Sequence, residues 1–123
     1  MTAPESIVIV DHPVDITLLA RLVAAWFEDM VKLVVDTRRR IVGIGGELHA
    51  DAEQLLLEDG SQQADLWGAN YYPGRGPDDC LEYTALINIR PSQDNPSMEI
   101  LEPAIRDVAR ELVFGLIGQG EEV

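Results

Sequence analysis

Two apolar runs, Val31 to Asp36 and Ile41 to Gly45, are separated only by Thr37-Arg38-Arg39-Arg40. A parallel crossover needs about a dozen residues or more, whereas a short link lets one strand fold back on the other. The pair therefore reads as a hairpin, although it lacks the favoured Asn-Gly turn. A hairpin here commits much of the sheet to antiparallel pairing.

The flanking segments fit around it. Ser6 to Val10 is a short apolar run closed by Asp11-His12-Pro13 and reads as a strand. Pro13 and Asp15 open a helix whose stripe is Ile16, Leu19, Leu22, Val23, Trp26 and Met30. After Gly43-Ile44-Gly45-Gly46 the period becomes helical, with Leu48, Ala52, Leu55 and Leu56 on one face and Gly60 placed to end the helix. Asp65 to Tyr72 and Leu81 to Ile89 read as strands around the turn Pro73 to Asp79. In the second of them Tyr83, Ala85, Ile87 and Ile89 alternate as a buried face. A last helix starts at Pro103, preceded by Glu102, with Ile105, Val108, Ala109, Leu112, Val113 and Leu116 as its stripe. The order β-α-β-β-α-β-β-α predicts an α+β fold: a largely antiparallel sheet of about five strands, with helices packed mainly on one face. Residues 1–123 are read as a single globular domain with a tail, 118–123, expected to fray.

Charge narrows the function. Twenty-two acidic and nine basic residues give a net charge of -13, which repels nucleic-acid phosphates at long range. Arg38-Arg39-Arg40 is the one basic cluster, and it reads either as a solvated turn or as an anion or partner contact. No apolar run approaches the ~20 residues of a membrane helix. The opening Met-Thr-Ala-Pro-Glu-Ser lacks the basic start of a secretory signal, and the single Cys80 has no partner for an internal disulfide. These features predict a cytoplasmic protein with neither nucleic acid nor membrane as partner. Unpaired sheet edges, or an apolar strip left on the last helix, would favour a homodimer.

Three segments hold candidate site residues. In Gly45-Gly46-Glu47-Leu48-His49-Ala50-Asp51-Ala52-Glu53, a glycine turn meets a helix start, but the carboxylates would repel a phosphate there. His49 and Glu53 share a helix face. His49, Asp51 and Glu53 are candidate metal ligands, and Glu47 with His49 a candidate base and acid; the structural alternative makes His49 a capping or packing residue. In Trp67-Gly68-Ala69-Asn70-Tyr71-Tyr72, Gly68 signals close backbone approach, Trp67, Ala69 and Tyr71 share one face, and Asn70 and Tyr72 point to the other. The third segment, Asn88 to Glu99, is stiffened by Pro91 and Pro96. Arg90 there is either paired with an acid such as Glu99 or free to hold an anion, and Gln93 and Asn95 either orient a ligand or stiffen their own loop. Asp78, Asp79 and Glu82 should quiet the Cys80 thiol. No Gly-x-Ser-x-Gly elbow is present.

The words Gly45-Gly46-Glu47-Leu48-His49-Ala50-Asp51, Leu57-Glu58-Asp59-Gly60-Ser61-Gln62, Leu66-Trp67-Gly68-Ala69-Asn70 and Ile87-Asn88-Ile89-Arg90-Pro91 resemble a small uncharacterised bacterial family, a domain of unknown function met often in cyanobacteria. The resemblance runs from about Val31 to the last helix. It implies a stand-alone domain and brings no activity with it.

The leading expectation is a ligand-binding or protein-interaction domain with a polar cleft between the Glu47–His49 turn and the Arg90–Glu99 loop. Arg90 would hold an anionic group of unknown identity, Asn88, Gln93 and Asn95 would orient it, and Trp67 or Tyr71 would wall the cleft, with Asn70 and Glu99 counted among the ligand-binding candidates. The alternatives are a hydrolase-like or metal-dependent enzyme using Glu47, His49, Asp51 or Glu53, and a structural subunit of a larger complex. No cofactor is implied.

Overall fold

The computed structural model describes residues 6–123. Of the opening segment read for a secretory signal, residues 1–5 lie outside the described residues. Five strands form one sheet: β1 (Val8–Val10), β2 (Val31–Asp36), β3 (Ile41–Ile44), β4 (Leu66–Tyr71) and β5 (Leu81–Glu82). Their order is β1-β3-β2-β4-β5, and every neighbouring pair is antiparallel. The helices are α1 (Ile16–Trp26), α2 (His49–Glu58) and α3 (Pro103–Leu116).

The β2–β3 hairpin closes without Asn-Gly. Asp36 is fully buried, and its carboxylate accepts from the backbone N–H groups of Arg38 (2.9 Å) and Arg39 (2.8 Å) and from the Ser61 hydroxyl (2.6 Å). That side chain does the work of a turn residue, and Arg40 supplies the left-handed conformation (φ 57). The three arginines then pair outward with acids: Arg38 with Asp65, Arg39 with Asp59 and Arg40 with Glu111. The cluster is therefore neutralised by the protein's own carboxylates.

Both faces of the central strands are covered. Val31, Leu33 and Val35 of β2 and Trp67, Ala69 and Tyr71 of β4 join residues of α1 and α3 in the larger core. Val34 and Leu66, one residue out of step, join Ala52 and Leu56 of α2 in a smaller one. Two of the three helices thus share a face, and α2 lies on the other. Glycine makes room for it: a Cβ at Gly43 would stand 3.1 Å from Leu56 Cδ1. The helix starts are local decisions. Asp15 caps α1 through the Thr17 N–H (2.7 Å), and Glu102 caps α3, which opens on Pro103, through the Ala104 N–H (3.3 Å). α1 stops sooner than its stripe suggests, because Glu28 turns left-handed (φ 67) and leaves Met30 outside the helix.

Two expectations are corrected. The strand read over Leu81 to Ile89 pairs with β4 only at Leu81 and Glu82. Thr84 then bridges to Glu99, a 3₁₀ turn forms at Leu86–Asn88, and Ile89, expected inside, is exposed. The segment climbs onto the α2 face because Gly68 leaves space there: a Cβ at Gly68 would lie 2.5 Å from the Ala85 Cβ. The expected fraying of 118–123 is also not what the structure shows. Gly120 is buried and donates to the Tyr71 hydroxyl (2.9 Å), and its carbonyl accepts from Gly74 and Gly76, so the tail is tied to the turn after β4.

Gly68→Ala is expected to lose about 1–3 kcal/mol by overpacking. Gly115→Ala, in exposed helix with nothing within 4 Å of the new methyl, is expected to gain about 0.5–1 kcal/mol. Urea denaturation of the two variants checks the opposite signs.

Candidate functional site

The outer edge of β4 is only partly covered by a strand. β5 pairs with Asn70 and Tyr71, and the peptide groups nearer the start of β4 are met by side chains from the 86–99 segment. The Asn88 carboxamide, fully buried, accepts from the Gly68 N–H (2.8 Å) and donates to the Gly68 carbonyl (3.0 Å) and to the Met98 carbonyl (3.0 Å). It takes the part that a neighbouring strand's peptide unit would play. Arg90 continues the edge. Its guanidinium donates to the carbonyls of Ile87 (3.0 Å), Gln63 (2.8 Å) and Leu66, and lies 4.6 Å from the centroid of the Trp67 ring. Glu53 Oε2 stands 3.8 Å away. Burial pulls the Arg90 pKa below its ordinary value and the Glu53 charge opposes this. Asn95 donates to the carbonyls of Asn88, Ser97 and Glu99 and accepts from the Leu101 N–H.

The expected anion clamp is therefore occupied by the protein itself. Apart from a bond from Arg90 Nη1 to Gln93 Oε1 (3.3 Å), Arg90, Asn88 and Asn95 spend their hydrogen bonds on backbone groups, because carbonyls left buried without partners would cost more than the side chains cost to order. Gln93 donates to the Ala64 carbonyl (3.1 Å). Glu99 is exposed, and the acid nearest Arg90 is Glu53 rather than Glu99. Trp67 is 2% exposed and belongs to the core shared with α1 and α3, so it walls no cleft.

Two of the expected residues, His49 and Asn70, do meet at a cavity of about 320 Å³ on the α2 face. Its walls are mostly apolar: Leu48 and Ala50 at the start of α2, Ala85, Leu86 and Ile87 from the crossing segment, and Met98. Leu48, Leu86 and Met98 are 54%, 70% and 41% exposed, unusual values for large apolar side chains. The polar contributors are Lys32, His49, Asn70 and Thr84. His49 Nε2 donates to the Ala69 carbonyl at 2.9 Å, since a carbonyl can only accept. Burial pushes the imidazole pKa below its ordinary 6.5, and the nearby Lys32 charge adds to that shift. Asn70 donates to Glu82 Oε1 (2.7 Å) and to the Thr84 carbonyl (3.5 Å). Its Oδ1 is buried and has no hydrogen-bond partner among the described residues.

Lys32 escaped the sequence reading. It is the only lysine in the chain and lies directly across from Asn70 in the β2–β4 register. Its ammonium sits 5.0 Å from the Phe27 ring centroid, and among the described residues no carboxylate stands within 4.0 Å of it. The available signal was a lone charge inside an otherwise apolar strand, Val-Lys-Leu-Val-Val.

The acid–base and metal arrangements are not assembled. Glu47 and Asp51 are exposed and outside this cavity, and Glu53 stands beside Arg90. Among the described residues no three His, Cys, Asp or Glu side chains gather as a metal ion requires. Cys80 is fully buried, and burial first, with acidic neighbours adding, raises its thiol pKa, so it is a packing residue. No helix among the described residues is long and apolar enough to cross a membrane.

A family model described as a protein of unknown function, DUF5674, matches residues 8–116, and the chain belongs to that family. No curated protein and no solved structure matches it.

Arg90→Ala is expected to lose about 3 kcal/mol or more, since it strands buried carbonyls and Glu53 together. Arg90→Lys should recover little of this, because an ammonium cannot reproduce the planar fork. Chemical denaturation reads both. His49 gives a pH test. Its folded pKa lies below its unfolded one, so the unfolded chain takes up the proton first. The stability contribution is present above about pH 6.5 and is lost as pH falls through the lower folded value. Stability measured against pH should show that decline in the wild type and lack that component in His49→Gln.

Proposed function

We propose that this DUF5674 protein is a small-molecule binding domain. Its cavity would take up a compact, mostly apolar molecule whose anionic group meets Lys32. One observation carries the reading: in a chain of net charge -13, the only lysine lines an apolar cavity and has no acidic partner among the described residues. Unsatisfied cations are uncommon where carboxylates are this abundant, and leaving one against apolar walls suits an incoming anion. The volume of about 320 Å³ lies at the small end of ligand sites, roughly 300–1,000 Å³, which combine apolar walls with a few converging polar groups. The anion-binding role expected of Arg90 passes in this reading to Lys32, because Arg90 is already fully engaged. The global negative charge would repel an anion at a distance, so Lys32 acts only at short range, and added salt should aid encounter by screening that repulsion.

Self-association is a second reading with its own support. β1 ends the sheet, and its sequence Val8-Ile9-Val10 carries no charge or proline to discourage pairing with a second copy. A sedimentation mass of one chain at micromolar concentration would remove it.

The binding reading is tested by thermal shift with 4-methylpentanoate and its neutral amide. The carboxylate should raise the melting temperature of the wild type, since a ligand bound to the native state stabilises it by mass action. The amide should do so much less, and Lys32→Met should erase the difference while keeping side-chain bulk. Equal shifts with acid and amide, or none with either, would contradict the assignment.

A further inference from the structure

The Asn70 amide has a fixed orientation. Its two close polar neighbours on one side, Glu82 Oε1 and the Thr84 carbonyl, are both acceptors, so the NH₂ group must face them and Oδ1 must face the other way. His49 also interacts with the Asn70 side chain, which works to raise the imidazole pKa against the larger effect of burial. Burial keeps the imidazole neutral, however, and a neutral ring carries one N–H, which is already given to the Ala69 carbonyl. Asn70 is 7% exposed and lines the cavity, and among the described residues no donor meets its Oδ1 with hydrogen-bond geometry. An unmet buried acceptor is a demand for a donor.

Lys32 makes the complementary demand from the facing strand. The two residues form a cross-strand pair. Gly68, two residues before Asn70, directs its N–H and carbonyl outward to Asn88, so Val34–Gly68 and Lys32–Asn70 are the closely spaced, non-hydrogen-bonded pairs of the ladder. Side chains so paired start about 4.5–5.5 Å apart. The lysine chain is the longer; Lys32 lines the cavity, and its ammonium lies 5.0 Å from the Phe27 ring centroid.

We propose that the ligand is an apolar 2-hydroxycarboxylic acid. This rests on the binding reading above and adds the requirement for a donor next to the anionic group. The carboxylate meets the Lys32 ammonium, the adjacent hydroxyl donates to Asn70 Oδ1, and the hydrocarbon substituent lies among Leu48, Leu86, Ile87 and Met98. A 2-amino acid also has a donor at that carbon, but its ammonium would share the site with Lys32, and like charges at short range in an apolar wall are costly. A simple fatty acid leaves Oδ1 unmet.

The test compares 2-hydroxy-4-methylpentanoate, 4-methylpentanoate and leucine by isothermal titration. The hydroxy acid should bind about tenfold more tightly than the acid lacking the hydroxyl, the scale of one hydrogen bond to a buried acceptor. Leucine should bind more weakly than the hydroxy acid. Asn70→Leu, checked for folding by its melting transition, should bring the ratio of hydroxy to deoxy acid close to one. If that variant does not fold, the wild-type ratio decides alone. Equal affinity for the two acids overturns the hydroxyl requirement and leaves the Lys32 site standing. Tightest binding of leucine overturns the choice of hydroxyl over amine. Binding of none of the three overturns both this proposal and the site on which it rests.

Discussion

The pairing of the Asn88 carboxamide with the two backbone groups of Gly68 is the contact on which the rest of this structure turns. A sheet edge inside a protein must satisfy its peptide groups, and here β5 satisfies only the far end of β4. One amide side chain meets Gly68 and one guanidinium meets the Leu66 carbonyl. Because these side chains do what a strand would have done, the backbone from Thr84 to Asn88 is free to leave the plane of the sheet.

That departure creates the cavity. The segment passes over Gly68, where a single methyl would block it, and comes to lie beside the first turn of α2. Between them remain Lys32, His49, Asn70 and Thr84, the polar side chains of a cavity whose other walls are apolar. Leu86, at the start of the 3₁₀ turn, is left exposed beside it. The cavity is thus a by-product of an edge closed by side chains, and Asn88 and Arg90, first suspected of binding, are among the residues that close it.

The parts of this architecture that were legible in sequence are those decided locally. The hairpin over 31–44, the α3 start at Glu102–Pro103 and the two-faced alternation of Trp67, Ala69 and Tyr71 against Asn70 all follow from patterns a few residues long. Tyr83, Ala85, Ile87 and Ile89 alternate like a strand, yet their fate depends on Gly68 and on Asn88 reaching across to it, contacts distant in sequence. Arg90 misled for the same reason: its acceptors, the carbonyls of Gln63 and Leu66, come from a segment with no sequence sign of needing a donor. Lys32 was passed over because one charged residue within a strand ordinarily faces water. Only the placement of α2 on the second face of the sheet turns that position into a cavity wall.

The central claim is that a side chain substitutes for a strand at Gly68, and amide hydrogen exchange at that residue tests it most directly. If the Asn88 carboxamide closes the edge, the Gly68 N–H exchanges only when the whole sheet opens, at the rate of the amides in central β2. Exchange of Gly68 at the rate of an exposed loop amide, while β2 remains protected, would contradict the account.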